Sequence, residues 1–386
     1  MKKRIAVLGA TGSIGKSSLD IISRNSENFE VVLLCAGSNS KTLKELSKQF
    51  PSAACVLAGE EGGKEKLLSS ILDIKPDITI NGISGAAGLE PSLAAIKAGS
   101  HLALANKETI VMAGRLVMNL ANEKNVRIIP VDSEHSAVFN LLKYFSKEHL
   151  AETRRRRERR EEEEKEVVET ISEIILTASG GPFRNLSLEE MQNVTVKEAL
   201  AHPTWNMGPK ITIDSASMAN KGLEIIEACV FFDMPPEKVK VVIHPQSIVH
   251  SMVRLCNGVV YAQLSKPDMR HPIHDAIYWP ETTPSALEPV SFDFLTLEFS
   301  RPDTEKFPML NLAWNAAKLA ALYPCAYNAA NETAVAAFLE QKIKFTDIAK
   351  ITEHVLQADW NGNCLDLETV LEADLKARSL ATSLLF

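Results

Sequence analysis

A glycine-rich segment directly after the first apolar run is the feature that most constrains this chain. Residues 5–8 are Ile-Ala-Val-Leu, residues 9–15 are Gly-Ala-Thr-Gly-Ser-Ile-Gly, and a helical pattern follows. In this G-x-x-G-x-x-G variant of the dinucleotide fingerprint, glycine permits a tight turn and lets the backbone approach a pyrophosphate. The helix N-terminus would supply free N–H groups to the same anion. The segment therefore predicts a strand–turn–helix unit that binds a dinucleotide.

Short apolar runs and amphipathic stretches then alternate through residues 1–150. Strands are predicted over 5–8, 31–35, 54–57, 78–80, 101–105 and 127–130. Helices are predicted between them over 17–23, 43–48, 65–72, 91–98 and 111–123. This rhythm predicts an N-terminal doubly wound, Rossmann-type parallel sheet, in which ligands bind at the carboxyl ends of the strands.

The residues after the second predicted strand indicate which dinucleotide is bound. An Asp or Glu there would accept a hydrogen bond from the ribose 2′-OH and repel a 2′-phosphate. The chain instead has Gly37-Ser38-Asn39-Ser40-Lys41, whose small donors and single Lys suit a 2′-phosphate. NADP is therefore preferred over NAD. Two later strand ends, residues 81–85 and Asn106-Lys107-Glu108, complete the predicted pocket.

A charged run marks the end of the predicted first domain. Residues 154–166 hold seven basic and six acidic residues, with Arg and Glu repeatedly four apart, which favours an exposed helix or a solvated linker. An α+β catalytic domain is predicted over 151–279, since strands and helices alternate there again. Residues 280–308 are rich in Pro, Thr and Ser and are predicted to be a connector, and 309–386 a small helical domain.

Composition excludes several classes of protein. The net charge of -7 disfavours a nucleic-acid partner, and no apolar run reaches the length that spans a bilayer. The six cysteines are scattered without a C-x-x-C pair, which favours free thiols in a reducing compartment. We therefore expect a cytoplasmic protein with no membrane contact.

Carboxylates follow the last strand of the predicted sheet. Asp132 and Glu134 flank Ser133, and in an extended segment alternation would put both carboxylates on one side. An Asp-x-Glu pair is usually structural, but this one lies at the ligand-binding edge of the sheet. Carboxylates without Cys or paired His favour Mg²⁺ or Mn²⁺ over zinc.

The second predicted domain carries further polar candidates. A strand runs into Ser179-Gly180-Gly181, a turn that could form an anion-binding nest. Residues 202–210 mix imidazole, indole and flexible residues, as a lid over a ligand does. Residues 214–224 offer Ser215, Asn220 and Lys221 to a phosphate and Glu224 as a third carboxylate. His244 and His250 suit a site or a structural role equally well.

Seven short strings occur in one order along the chain. They are ATGSIG, ANKE, DSEH, SGGPFR, HP-x-W-x-MG, DSA-x-M-x-NKG-x-E and HPQS-x-VH, and YNAANE follows at residues 327–332. Together they resemble the 1-deoxy-D-xylulose 5-phosphate reductoisomerase family of the non-mevalonate isoprenoid pathway. The resemblance runs along nearly the whole chain.

The resemblance implies a role for each matching residue. NADPH would contact Thr11, Gly12, Ser13, Ile14, Gly37, Ser38, Asn39, Asn106, Glu108 and Gly208. Mg²⁺, Mn²⁺ or Co²⁺ would be held by Asp132, Glu134 and Glu224. The sugar-phosphate substrate would contact Lys107, Ser133, Glu134, Ser179, His202, Ser215, Asn220, Lys221 and Glu224. The catalytic set would be Lys107, Asp132, Glu134, His202 and Glu224, and the lid would carry Trp205 and Met207.

The resemblance also implies the reaction and the assembly. A homodimer would rearrange the substrate by retro-aldol and aldol steps and reduce the product with NADPH. At position 38 the chain has Ser where many members carry a basic residue, so NADP selectivity would rest on Lys41 or on backbone groups.

Two alternatives stay open at this point. Another NADP-dependent Rossmann dehydrogenase, such as a homoserine or semialdehyde dehydrogenase, or a non-catalytic NADP(H) sensor would need no three-carboxylate site.

Overall fold

Six parallel strands form the sheet of the N-terminal part of the chain. They are β1 (Lys3–Leu8), β2 (Phe29–Ala36), β3 (Ala54–Leu57), β4 (Ile78–Asn81), β5 (His101–Leu104) and β6 (Ile128–Pro130), in the order β3-β2-β1-β4-β5-β6. The connecting helices are α1 (Ser13–Arg24), α2 (Ser40–Gln49), α3 (Gly63–Ile74), α4 (Leu89–Lys97) and α5 (Lys107–Glu123). The strand order reverses between β1 and β4, and such a switch point is where open parallel sheets bind ligands.

In this computed structural model the described residues are 2–153, 170–205 and 207–385, with only the backbone of 144–153. The chain forms two compact units, Met1–Asp132 with Asp268–Leu287, and Ser133–Pro267 with Glu288–Phe386. These units group the chain differently from the predicted domains, which had boundaries at residues 150, 279 and 308; that fourfold division stays a prediction. The predicted charged linker, 154–166, lies outside the described residues.

The second unit is built on a mixed sheet. Its strands are β7 (Ile171–Ala178), β8 (Val239–Ile243), β9 (Val249–Leu255) and β10 (Val260–Leu264), in the order β10-β9-β7-β8. Only β7 and β8 pair in parallel among these strands. The helices of this part are α6 (Ser133–Thr153), α7 (Leu188–Met191), α8 (Val196–Ala199), α9 (Pro209–Ala216) and α10 (Ala219–Phe231).

The next helix, α11 (Arg270–Tyr278), belongs to the first unit. Its Tyr278 ring packs edge-on against Phe29 of β2, with centroids 4.9 Å apart. Lys3 Nζ donates to the carbonyl oxygen of Trp279 at 3.3 Å. These long-range contacts explain why a boundary read from the local sequence does not match the unit to which this helix belongs.

The C-terminal part is helical from residue 309, as predicted. It comprises α12 (Met309–Leu319), α13 (Tyr323–Leu339), α14 (Asp347–Leu356) and α15 (Leu367–Ser383). Small side chains at Ala326, Ala329 and Ala330 of α13 are fully buried and allow neighbouring elements to approach closely. None of the described helices combines the length and the apolar character that crossing a membrane requires.

Candidate active site

The glycine-rich turn joins β1 to α1 and can be made only with glycine at two positions. Gly9 has φ +77°, and a Cβ there would lie 2.6 Å from the carbonyl oxygen of Gly82. A Cβ at Gly15 would lie 2.4 Å from the carbonyl oxygen of Gly9. Gly12, the residue before α1, has no side chain to cap the helix and is exposed together with Ser13. Thr11 and Ile14 lie beside them, so the turn offers backbone N–H groups to an anion.

The segment after β2 is exposed and free of carboxylates. Gly37, Ser38 and Asn39 follow the strand, and Asn39 Oδ1 accepts a hydrogen bond from the backbone N–H of Thr42 at the start of α2. A Cβ at Gly59 would lie 2.7 Å from the carbonyl oxygen of Gly37, so two chain segments approach closely here. This arrangement suits the 2′-phosphate of NADP.

Asn106 ties the start of α5 to the loop after β4. Its Nδ2 donates to the carbonyl oxygens of Ile83 and Gly85, at 2.7 and 2.9 Å, and to Glu108 Oε2 at 2.9 Å. Its Oδ1 accepts from the backbone N–H of Thr109 and thereby caps the helix. Asn106 and Glu108 are buried, and Asn106 holds the loop that is predicted to lie beside the cofactor. Their direct contact with NADPH stays a prediction.

Three carboxylates predicted to hold a metal lie close together. One oxygen from each of Asp132, Glu134 and Glu224 falls within 4.8 Å of the others. The prediction that Asp132 and Glu134 lie in one extended segment was wrong, because α6 begins at Ser133 and Glu134 lies in its first turn. Lys107 Nζ lies 2.8 Å from Asp132 Oδ2, and both side chains are largely buried. An all-carboxylate set suits a hard divalent cation such as Mg²⁺.

The predicted substrate ligands of α10 contact the same carboxylates. Lys221 Nζ lies 2.7 Å from Glu134 Oε1 and also forms an ion pair with Glu224. Asn220 Nδ2 donates to Glu224 Oε1 at 2.5 Å, and Ser133 Oγ donates to Glu134 Oε2 at 2.5 Å. Positions 220, 221 and 224 meet because residues three and four apart share a helix face.

The turn predicted to bind an anion follows β7. Gly180 and Gly181 both have positive φ, +83° and +66°, and the backbone N–H of Gly181 donates to Ser179 Oγ at 3.2 Å. A Cβ at Gly181 would lie 2.8 Å from the carbonyl oxygen of Ser215. The turn therefore packs directly on the end of α9, and it brings two of the predicted phosphate ligands, Ser179 and Ser215, into one neighbourhood.

His202 is held as a neutral imidazole beside this turn. Its Nδ1 accepts hydrogen bonds from the backbone N–H groups of Thr204 and Trp205, at 3.1 and 2.9 Å. The ring proton must then lie on Nε2, which donates to Ser179 Oγ at 3.1 Å. Burial, and secondarily the nearby Arg184, lowers the pKa of His202. Ser179 Oγ accepts twice, so its own proton can point at a ligand.

The predicted lid joins α8 to α9. Trp205 and Met207 are half-buried, and Gly208 is the N-cap residue of α9 in the second unit, whereas the other predicted NADPH ligands lie in the first. Closure of this segment, and contact of Gly208 with the cofactor, stay predictions.

The role left open for His244 is structural. Its ring is fully buried, with Nδ1 2.9 Å from the carbonyl oxygen of Glu298. Its Nε2 accepts from the backbone N–H groups of Ile248 and Val249, both at 3.1 Å. His250 Nε2 lies 2.8 Å from Ser265 Oγ.

His135 was not assigned a role from the sequence. It is fully buried, its Nε2 donates to the carbonyl oxygen of Glu224 at 3.0 Å, and its Nδ1 lies 3.4 Å from Glu227 Oε2. It therefore links the helix of Glu134 to that of Glu224. In the sequence, only its position directly after Glu134 indicates a role near the carboxylates.

Comparison with known proteins now identifies the family. A family model for 1-deoxy-D-xylulose 5-phosphate reductoisomerase matches residues 5–73 and 56–114, and two models for the C-terminal domain of that enzyme match 128–232 and 264–380. This chain belongs to the 1-deoxy-D-xylulose 5-phosphate reductoisomerase family. The family predicted from the ordered motifs is thus confirmed, and so is the prediction that the chain is an enzyme.

Relatives within the reductoisomerase family match over the full length. The 1-deoxy-D-xylulose 5-phosphate reductoisomerase of Pelodictyon phaeoclathratiforme is 46% identical, with 98% of each chain covered. That of Treponema denticola is 45% identical, with 98% of this chain and 96% of the relative covered.

Solved structures of the family share the fold. The Zymomonas mobilis enzyme in complex with NADPH has a TM-score of 0.86 at 39% identity, covering 100% of this chain and 99% of the other. A reductoisomerase in complex with NADPH, fosmidomycin and magnesium has a TM-score of 0.87 at 37% identity, with 99% and 98% covered. The predicted fold class, a Rossmann-type sheet with an α+β region and a helical C-terminus, is confirmed.

Proposed function

We propose that this chain converts 1-deoxy-D-xylulose 5-phosphate, NADPH and a proton into 2-C-methyl-D-erythritol 4-phosphate and NADP⁺. The observation that carries the proposal is the cluster of Asp132, Glu134 and Glu224, whose oxygens lie within 4.8 Å and which Lys221 and Lys107 contact. Neither a simple Rossmann dehydrogenase nor a nucleotide sensor has a use for three converging carboxylates. The family and the ligands of the similar solved structures, NADPH and magnesium, support the same reaction.

The first unit fits NADPH. The backbone at Gly9 and Gly15 leaves no room for a Cβ, as a turn that cradles a pyrophosphate requires, and the segment after β2 offers small donors in place of a carboxylate. When bound, NADPH would supply a hydride to an aldehyde carbon. The residues after β2 would hold its 2′-phosphate, with Ser38 and Lys41 as the side-chain donors.

The carboxylate cluster fits a divalent metal ion. Its donors are all oxygen, which suits Mg²⁺ or Mn²⁺, with Co²⁺ as a further candidate. Such an ion would act as a Lewis acid on the oxygens of the substrate as the carbon skeleton rearranges by carbon–carbon cleavage and re-formation. Asp132, Glu134 and Glu224 would hold it.

The side chains around the cluster have complementary tasks. Lys107 is 5% exposed and pairs with Asp132. Its ammonium group would stabilise the negative charge that develops on a substrate oxygen during the reaction. Lys221 would orient Glu134 and Glu224 and compensate their charge. Ser133 and Asn220 donate to the same two carboxylates and would turn towards substrate hydroxyls.

The phosphate of the substrate would bind at the turn after β7. Ser179, Ser215 and His202 meet there, and Gly180 and Gly181 give the backbone its positive-φ conformation. Binding energy from this remote phosphate would anchor the substrate and help to order the segment of Trp205 and Met207. That segment would exclude water from the reacting carbons.

The deciding experiment follows the loss of NADPH absorbance with 1-deoxy-D-xylulose 5-phosphate. We expect turnover that needs Mg²⁺ or Mn²⁺ and stops with EDTA. A homoserine or a semialdehyde substrate under the same conditions is the control for the dehydrogenase alternative. Turnover that EDTA leaves unchanged, or none with this substrate, would refute the proposal.

Assembly and location belong to the same proposal. We expect a cytoplasmic homodimer that contacts neither nucleic acid nor membrane. Support for self-association comes from the edge strand β10, where Val260 and Tyr261 are 39% and 44% exposed and the residue before the strand, Val259, is 46% exposed. Sedimentation equilibrium on the wild-type chain should give twice the mass of the monomer.

A further inference from the structure

A motif of helix α13 that the proposed reaction does not use contacts the predicted phosphate site. Asn331 is fully buried, and its Nδ2 donates to Asp214 Oδ1 at 2.8 Å. Asp214 is 1% exposed and lies directly before Ser215 in the last turn of α9. Lys210 Nζ, one turn earlier on α9, lies 2.9 Å from the other oxygen, Asp214 Oδ2. The carboxylate is thus contacted through both oxygens, and one contact comes from a residue 117 positions away.

The same face of α13 also contacts α10. Tyr327 lies one turn before Asn331, and a Cβ at Gly222 would lie 2.3 Å from its hydroxyl oxygen. Tyr327 is fully buried, and its hydroxyl donates to the carbonyl oxygen of Met309 at 3.2 Å. Gly222 directly follows Lys221. One face of α13 therefore touches both helices that carry predicted phosphate ligands.

The turn between these two helices needs support from outside. Met218, between Ser215 and Asn220, has φ +63° and is 2% exposed. A residue with a side chain adopts this left-handed conformation at a cost, and surrounding structure must maintain it. The backbone N–H of Met218 donates to the carbonyl oxygen of Ser215 at 3.2 Å. Contacts from surrounding residues must therefore maintain the turn that separates Ser215 from Asn220, and Asn331 contacts Asp214, directly before Ser215.

We propose that Asn331 is a positioning residue: through Asp214 it fixes Ser215 and thereby the affinity of the site for the phosphate group of the substrate. A side chain of the C-terminal helices, remote in sequence, then sets phosphate recognition. The inference rests on the proposed function for the identity of the substrate, but not for the presence of an anion site.

A double-mutant cycle tests the coupling. Asn331→Ala, Asp214→Asn and the double variant are compared for KM, kcat, NADPH affinity and the inhibition constant of inorganic phosphate. For Asn331→Ala we expect KM and the phosphate inhibition constant to rise together by about tenfold, the effect of one lost charge-assisted hydrogen bond. NADPH affinity should change less than about twofold, and the double variant should resemble Asp214→Asn alone, as for residues that act through one contact.

A matched control separates positioning from stability. Thr352→Val removes another buried polar group of the C-terminal helices, since the Thr352 hydroxyl donates to the carbonyl oxygen of Ile348 at 2.9 Å. It should lower Tm without changing KM. If it raises KM as much as Asn331→Ala, or if the effects of Asn331→Ala and Asp214→Asn multiply in the double variant, the proposal is wrong. Asn331→Ser replaces Asn331→Ala if the latter does not fold.

Phosphate binding can also be measured without turnover. Inorganic phosphate should raise the Tm of the wild type, and Asn331→Ala should lose most of that rise while Thr352→Val keeps it. If the wild type did not reduce 1-deoxy-D-xylulose 5-phosphate, the proposed function would be wrong. The phosphate-induced rise in Tm of the wild type and the two variants would still test the role of Asn331. A full phosphate-induced rise in Asn331→Ala would overturn it.

Discussion

His202 Nε2 lies 3.1 Å from Ser179 Oγ, so the imidazole at the start of the predicted lid is hydrogen-bonded to the hydroxyl of the residue directly after β7. This contact joins two motifs that lie 23 residues apart in the chain. It also leaves the Ser179 proton available, because the Ser179 oxygen already accepts from His202 and from Gly181. The Ser179 proton can therefore point towards the predicted phosphate, and the orientation of each of the two side chains depends on the other.

Ser179→Ala should weaken phosphate binding. The change removes a predicted phosphate donor and the acceptor for His202, so KM for 1-deoxy-D-xylulose 5-phosphate should rise by about tenfold or more. Steady-state kinetics measure it. Ser172→Ala, on the same strand, is the control, because the Ser172 hydroxyl donates only to the backbone oxygens of Arg254 and Leu255 among the hydrogen bonds described. An unchanged KM in Ser179→Ala would remove Ser179 from the site.

Acidification should destabilise the protein through His202. Its pKa is held below the ordinary 6.5 by burial and by Arg184, so the unfolded chain takes up a proton at a higher pH than the folded one does. The stability that the neutral ring contributes is complete above about pH 6.5 and is lost as the pH falls through the lower folded-state pKa. Urea unfolding across this pH interval should show that the free energy of unfolding depends less steeply on pH in His202→Gln than in the wild type. The exposed His354 supplies the control, His354→Gln, which should keep the wild-type slope.

Glu224→Gln should abolish turnover and spare the cofactor. The amide keeps the shape of the side chain but removes a charge from the cluster with Asp132 and Glu134, so metal affinity and kcat should both fall, kcat by about a thousandfold. Titration calorimetry with Mn²⁺ and fluorescence with NADPH measure the two affinities. Glu173→Gln, on the half-buried pair with Arg254 away from the cluster, is the control. A loss of NADPH affinity as large as the loss of activity would show that Glu224 is wrongly placed.

Alanine at two glycines of the first turn should separate folding from cofactor binding. Gly15→Ala puts a Cβ 2.4 Å from the carbonyl oxygen of Gly9 and should cost about 2 kcal/mol of the free energy of unfolding, as overpacking does. Gly12→Ala puts a Cβ 3.3 Å from the same oxygen and should cost less than about 1 kcal/mol. Both should weaken NADPH binding, because the turn approaches the pyrophosphate. Urea unfolding measures the free energies of unfolding, and NADPH fluorescence measures the cofactor affinities. Wild-type NADPH affinity in Gly12→Ala would contradict this prediction.

Ser38→Asp should reverse the choice of cofactor. A carboxylate after β2 would repel a 2′-phosphate and accept a hydrogen bond from a 2′-OH. The ratio of kcat/KM for NADPH over NADH should fall by about tenfold or more. Ser40→Asp, two residues further on at the first residue of α2, serves as the comparison. A ratio that stays at the wild-type value would place the 2′-phosphate elsewhere, and Lys41→Ala would then be the next variant to measure.

The sequence was sufficient for the elements whose cause is local. The strand–turn–helix at residues 5–24, the run of parallel strands and the start of the C-terminal helices at Met309 all follow from hydrophobic period and glycine placement. The ordered motifs were sufficient for the family, since each carries a chemically constrained residue in a fixed order.

Only the tertiary structure showed which side chains meet. Glu134 shares a cluster with Glu224 because side chains join α6 to α10, His135 at the carbonyl oxygen of Glu224 and Lys221 at Glu134, whereas the expected strand alternation of Asp132 and Glu134 does not occur. Local sequence patterns likewise do not predict that α11 belongs to the first unit or that Asn331 contacts Asp214. Periodicity determines which face of an element is apolar, but a polar contact between residues far apart in sequence depends on how whole elements pack. Both the carboxylate cluster and its support are contacts of that kind.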